Sequence, residues 1–244
     1  MKDLQIPYDP SVCDQPRKED LSLVYYTANK VEDAFAERVR QHLVEVSAPG
    51  YTLISVSQKP IPGFGHNICV GDIGFSIYNV YVQLLVGAKA ATTPWICCAE
   101  DDYLYDPSHF WLRPPRDAFG YNHARWNLDD SGIYWWRGRA TMGMCIVWRE
   151  LLIDTLEERF AKFPTPLVSR EEHRGWGEPG RYERNLHLTL RKMTIMDAAG
   201  PTVIFNHRPS LGGKRRKTDG DRQTRVLEPW GDGKALWARF YDGT

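Results

Sequence analysis

Three apolar runs of strand length, separated by two segments of helical periodicity, constrain this chain more than any other feature of its sequence. LSLVYYTAN (21–29) is rich in β-branched and aromatic residues and reads as a strand. VEDAFAERVRQHLVEVS (31–47) sets apolar residues at 31, 34, 35, 39, 43 and 46, which is one face of a helix. YTLISVSQ (51–58) reads as a second strand and KPIPGFGHNICVGDIG (59–74) as a Gly- and Pro-punctuated loop. FSIYNVYVQLLVGAKAA (75–91) reads as a second helix, and TTPWICCAEDD ends a third, buried strand in three consecutive acids. This alternation specifies a parallel sheet covered by helices. Such sheets bind ligands beyond the carboxyl ends of their strands, so residues 27–29, 57–59 and 100–102 are expected on one edge.

The 244 residues, 42% of them apolar, suffice for a substantial core in one domain. The formal net charge is zero, so no global field draws the protein to nucleic acid or membrane, and polyanion binding would need a local patch. No apolar run approaches the ~20 residues that cross a bilayer. The first twenty residues lack the apolar centre of a secretory signal. The five cysteines form no CxxC pair, and three of them sit in strand-like runs, as buried free thiols of a reducing compartment do. A cytoplasmic location without membrane association is expected.

The second half is less regular. Residues 119–151 hold two strand-like pieces around a DDSG turn and then MGMCIVW, a further strand. ELLIDTLEERFAKF (150–163) is an amphipathic helix stopped by Pro164, residues 169–193 begin as a polar loop and end as a helix, and PTVIFNH (201–207) is a late strand. Residues 208–225 carry seven Lys or Arg against two Asp, a local excess of five positive charges in a neutral chain.

The acids Glu100, Asp101 and Asp102 admit two readings: a solvated strand end, or the anchor for a hard divalent cation, which takes carboxylate oxygens completed by phosphate oxygens and water. Their place at the third step of a βαβ series favours the second. The quoted stretches "VYYTAN", "SVSQKPI" and "IYNVYVQLLVGAKAATTPWICCAEDDYLYDPSHF" together resemble a GT-A glycosyltransferase of the small, soluble, family 2-like kind, with its short D-x-D-type acidic motif. The resemblance covers about residues 20–112 well and the remainder loosely. Two departures stand out: the first acid is Glu100 where many relatives have Asp, and no Q-x-x-R-W motif is present.

This resemblance implies a Rossmann-like α/β fold, a mostly parallel sheet flanked by helices with an elaborated acceptor-side second half. Residues 20–112 would be the nucleotide-sugar half of a single domain, 113–207 the acceptor half, and 208–244 a basic loop and tail. It implies transfer of a sugar from a nucleotide donor, with UDP as the expected nucleotide, helped by Mn²⁺ or Mg²⁺. Asp102 would be the direct ligand, Glu100 a second ligand or one acting through water, and His207 a later ligand. Thr27 and Asn29 would meet the base or ribose, Asp101 would sit near the ribose, and Lys59 would offset the diphosphate charge. Ser76, Asn79 and Gln83 share a helical face that would meet either the nucleotide or the solvent. Lys214 and Arg215, in "GGKRRK", would close on phosphate over the hinge of Gly212 and Gly213.

A general base is expected in "REEHRGWGEPG". Of Glu171, Glu172 and Glu178, the last is set between Gly177 and Pro179, where the backbone could fix a carboxylate. Trp126, Trp135, Trp136, Trp148 and Trp176 are interleaved with Arg125, Arg137, Arg139 and Arg174, which suits stacking and phosphate contacts, although several of these tryptophans would simply fill the core. With the basic segment, this suggests DNA as acceptor, through a 5-hydroxymethylated pyrimidine of the phage type. A glycan or small-molecule acceptor, a nucleotidyltransferase and a non-catalytic nucleic-acid-binding module are the alternatives. The nucleotidyltransferase reading is disfavoured because "YYTANKVED" lacks a Gly-rich loop.

Overall fold

The computed structural model describes residues 4–47, 49–166, 176–206 and 222–243. The expected alternation is present: β2 (Leu21–Thr27), α1 (Asp33–Ser47), β3 (Thr52–Ser57), α2 (Ile77–Ala90) and β5 (Trp95–Ala99). The segment read as a loop after β3 holds a further short strand, β4 (His66–Cys69). Its four residues, flanked by Gly65 and Gly71 at positive φ, are too short to register as a periodic run.

With β1 (Gln5–Ile6), β7 (Ala118–Asn122), β10 (Cys145–Trp148) and β11 (Lys192–Met196), these strands form an eight-stranded sheet in the order β1-β11-β7-β10-β5-β2-β3-β4. All of its strands run parallel except β10, which lies antiparallel between β5 and β7. The fold is therefore α/β with a mostly parallel sheet flanked by helices, as the sequence led us to expect. On one face, α2 and α3 (Arg149–Lys162) cover Val24, Tyr26, Val56, Ile96 and Cys98. On the other, Leu43 of α1 packs with Leu21, Leu23, Tyr25 and Cys97.

Helix α2 lies unusually close to the sheet at Gly87, where an added Cβ would stand 2.3 Å from Val24 Cγ1 and 3.2 Å from Val56 Cγ2. Gly87→Ala should therefore destabilise the protein by about 1–3 kcal/mol through overpacking, read as an earlier urea midpoint with unchanged slope.

A second sheet in the order β13-β9-β8-β12-β6 builds the other half from β6 (Tyr103–Leu104), β8 (Arg125–Leu128), β9 (Tyr134–Trp136), β12 (Thr202–Phe205) and β13 (Gln223–Thr224). β8 and β9 are the antiparallel pair around the DDSG turn. The segment 169–193 begins outside the described residues. Its described part holds one short helix, α4 (Glu183–Leu186), then irregular chain until β11 begins at Lys192, so the helix expected up to residue 193 is only four residues long there.

The chain does not trail off after the basic segment. β14 (Val226–Leu227) and β15 (Gly231–Asp232) pair, and α5 (Gly233–Tyr241) packs Leu236 and Phe240 with Phe35 of α1 and Phe205 of β12. The expected tail thus closes a third core cluster. Among the described residues, no helix is long and apolar enough to cross a membrane.

Candidate functional site

Strand β5 belongs to the large sheet and β6 to the small one, with only Glu100, Asp101 and Asp102 between them. The acid triplet is thus the bridge between the two halves. It also flanks the point where the order of the large sheet reverses, because β3 lies on one side of β2 and β5 on the other. Ligands of open α/β sheets bind at such a point.

Each acid is held differently. The Tyr26 hydroxyl donates to Glu100 Oε1 at 2.5 Å, and the Gly143 amide also hydrogen-bonds Glu100. Burial, then the neighbouring charge of Asp102 and that of Asp101, push the Glu100 carboxyl up to about 8. The Thr27 hydroxyl donates to Asp101 Oδ2. Asp102 is buried at 8% exposure, and its carbonyl accepts from the Phe205 amide of β12 at 2.9 Å, so the small sheet fixes its backbone.

Two cavities meet at these acids. The first, about 630 Å³, is lined by Thr27, Gln58, Ser76, Asn79 and Gln83, with Phe75 exposed at its rim and all three acids along one edge. The second, about 1040 Å³, lies on the other side and is lined by Arg125, Asn127, Arg137, Arg139 and Glu178; it shares Val80, Glu100 and Asp102 with the first. Glu178 belongs to the second cavity alone.

Thr27, Asn79, Gln83 and Asp101 thus converge as the sequence suggested, but several are already engaged. Gln83 is 1% exposed, and its Nε2 donates to the carbonyls of Thr27 and Val56, bolting α2 to β2 and β3. Asn79 Nδ2 donates to the Ile73 carbonyl, and Ser76 caps α2 by accepting from the Asn79 amide. Asn29 sits in the left-handed region at φ 51° and is a strap: its Oδ1 accepts from the amides of Gln58 and Lys59. These residues shape the first cavity more than they reach into it. Lys59 is exposed and is not among the residues lining either cavity. His207, Lys214, Arg215, Glu171 and Glu172 lie outside the described residues. Gln58 lies on the edge where residues 57–59 were expected, though it was not singled out as a site residue, and Phe75, in the irregular stretch before α2, was not named for the site.

The backbone around Glu178 is clamped. Gly177 O accepts from Tyr81 Oη at 2.8 Å and from Arg159 Nη1 at 2.9 Å; Pro179 O accepts from Tyr121 Oη at 2.8 Å. The Gly180 amide donates to Glu183 Oε2, whose other oxygen pairs with Arg159 Nη2. Glu178 itself contacts Arg181 at 3.1 Å. This is the constrained turn the sequence suggested, although its constraint comes from α2, α3 and β7 and not from Gly and Pro alone.

The tryptophans divide. Trp135 and Trp176 are wholly buried, and Trp148 packs edge-on against Trp95 with the Arg116 guanidinium 4.3 Å over its ring. Trp136, next along β9, points to the other side, where its Nε1 donates to His123 O and Arg222 covers its ring at 4.4 Å. The alternation expected of "WW" on a strand is present.

Carboxylate oxygens suit a hard divalent cation, and the mutual repulsion that raises Glu100 is what a cation would relieve. Among the described residues, no group of three or more His, Cys, Asp and Glu side chains gathers as a metal site. Glu100 and Asp102 would therefore serve as a partial set completed by phosphate oxygens and water. Without metal, a carboxyl raised above its unfolded value lends stability that is full below about 4.5 and is lost as pH rises through about 8. In chelator-treated protein, urea midpoints should therefore fall from about pH 4.5 to about pH 8 and level off above it, and Glu100→Gln should flatten that fall.

No protein-family profile matches this chain, and no curated protein matches it. Solved structures similar to it include a nucleotidyl transferase from Methanothermobacter, at 16% identity and TM-score 0.41 over 74% of this chain and 88% of the other. A glycosyltransferase involved in glycosylation of the major capsid of PBCV-1 matches at 12% identity and TM-score 0.42 over 75% and 92%. A mannosyltransferase from Pyrobaculum calidifontis in complex with GDP-Man and Mn²⁺ matches at 15% identity and TM-score 0.42 over 85% and 62%. These likenesses are distant, and the functional reading rests on the geometry of the site.

Proposed function

We propose that this protein transfers a sugar from a nucleotide-sugar donor, UDP-linked in the first instance, to a hydroxyl of an acceptor. The observation that carries this reading is the meeting of two cavities at Glu100 and Asp102, with a third carboxylate, Glu178, in the second cavity only. A group transfer between two substrates needs two compartments that share one reacting point.

The first cavity takes the nucleotide: Thr27 and Asp101 border the ribose, and Phe75 offers an exposed aromatic face to the base. Glu100 and Asp102 would hold Mn²⁺ or Mg²⁺, which when bound would offset the charge that builds on the departing diphosphate. In the second cavity Glu178 receives the proton of the acceptor hydroxyl, and its clamped backbone keeps the carboxylate oriented. The basic residues 208–225 favour DNA carrying a 5-hydroxymethylated pyrimidine as acceptor over a neutral glycan.

Thermal melting with Mn²⁺ and a panel of nucleoside diphosphates tests the donor half. A bound nucleotide raises the melting point, by mass action, only when the cation is present. The absence of stabilisation by every nucleotide would sink the reading. Incubation of hydroxymethylcytosine DNA with mixed nucleotide sugars, followed by mass spectrometry, tests the acceptor. A hexose or pentose increment is expected, whereas a nucleotidyl increment would replace the glycosyl assignment.

A further inference from the structure

Arg125 is 6% exposed, yet it lies on the wall of the second cavity. It emerges from β8 in the middle of the small sheet, and its Nε donates to the Arg137 carbonyl at 3.0 Å. That bond orients the guanidinium. Its two terminal nitrogens have no hydrogen-bond partner among the described residues. Burial pulls its pKa down, while the Tyr103 hydroxyl and the carboxylates of Glu178 and Glu100 act in the opposite sense.

A nearly buried guanidinium with an open fork is costly unless something anionic completes it. Neighbours around the same cavity supply further donors. Asn127 is 4% exposed on the same strand, Arg137 is half-buried, and Arg139 is exposed at the mouth. The fork of a guanidinium matches two oxygens of one phosphate or carboxylate, a geometry an ammonium does not reproduce.

We propose that the second cavity binds an oxyanion of the acceptor, a phosphate or carboxylate, on the Arg125 fork with Arg139 closing from the mouth. The word "acceptor" rests on the transferase reading above; the oxyanion site itself does not. Because Glu178 stands in the same cavity, the bound oxyanion would place the acceptor's hydroxyl within the compartment of the base. The anionic group therefore selects which molecules are presented for transfer.

The test is calorimetric titration of inorganic phosphate and of acetate into the metal-free protein. Arg125→Lys, which keeps the charge and loses the fork, should weaken phosphate binding by at least about tenfold, and Arg139→Ala by several-fold. Glu178→Gln should tighten it, since a neighbouring negative charge is removed. Acetate binding with the same dependence on Arg125 would assign a carboxylate acceptor, and phosphate binding alone a phosphate-bearing one. Melting curves of each variant without ligand establish that it is folded, and Arg139→Ala, at an exposed position, keeps the test open if Arg125→Lys is not.

Titration is then repeated with saturating nucleoside diphosphate and Mn²⁺. Phosphate that still binds supports an acceptor site. Phosphate displaced by the nucleotide would give Arg125 to the donor's diphosphate and overturn the proposal, as would anion binding indifferent to both arginines or no binding at all. Failure of the transferase reading has a different signature: no nucleotide or metal stabilisation, whatever stands at position 125.

Discussion

Asp102→Asn should lower kcat by on the order of 10³-fold while leaving the metal-free protein at least as stable as wild type. The two effects have one cause. Asp102 lies at the junction of both cavities, and on the proposed function it would hold a cation there with Glu100, so losing its charge would remove the stabilisation of the departing diphosphate. The same charge is the largest contributor, after burial, to the raised pKa of Glu100, so its removal relieves a repulsion that the metal-free fold otherwise bears. The Asp102 carbonyl keeps its bond from the Phe205 amide, so the bridge between the sheets survives the substitution. Steady-state kinetics with paired melting curves check both parts. Normal turnover in Asp102→Asn would reject the metal assignment, and lost turnover with a large fall in melting temperature would recast Asp102 as a structural residue.

The second large effect is expected at Glu183. Its side chain is 1% exposed and pairs at 2.5 Å with Arg159, itself fully buried. Removing one partner of such a pair strands the other charge, at a cost of about 3–5 kcal/mol. Glu183→Gln should therefore lower the melting temperature by on the order of 10 °C, given roughly 2–4 °C per kcal/mol for a chain of this size. Activity should suffer beyond the loss of stability, because Glu183 also accepts from the Gly180 amide and Arg159 from the other side holds the Gly177 carbonyl. The double substitution Arg159→Met with Glu183→Leu separates the two roles. Stability should largely return, since well-packed apolar pairs replace buried ion pairs at little cost, whereas kcat should stay low because the Glu178 turn has lost two of its clamps. Full recovery of kcat would show that the clamp has no part in positioning Glu178.

The elements of the first half were legible because each is long enough to show its period. β2 buries all seven of its residues, as an apolar run covered on both faces does, and α1 buries Phe35, Val39 and Leu43 of the positions its period selects. The two-to-four-residue strands of the small sheet show no such period, and which of them pair is set by contacts distant in sequence, such as β12 beside β8. The same division holds at the site. The acid triplet stood out because three charges end a buried strand, and Glu178 because Gly and Pro constrain its neighbours. Where the exposed Lys59 side chain reaches was not legible, because a strand end tells where the backbone stops and not where a long side chain goes.

The sequence by itself thus determined the βαβ series and, through it, the edge on which Thr27 and the acids had to meet, since strand polarity and crossover rules leave one arrangement. Only the tertiary structure decided that the triplet would bridge two sheets and divide two cavities. It alone turned Asn29 and Gln83 into braces, buried Arg125 with its fork open, and tied Glu178 to three separate elements. Those outcomes depend on which distant surfaces share a wall, and the packing of one half against the other settles that after the local periods have been read.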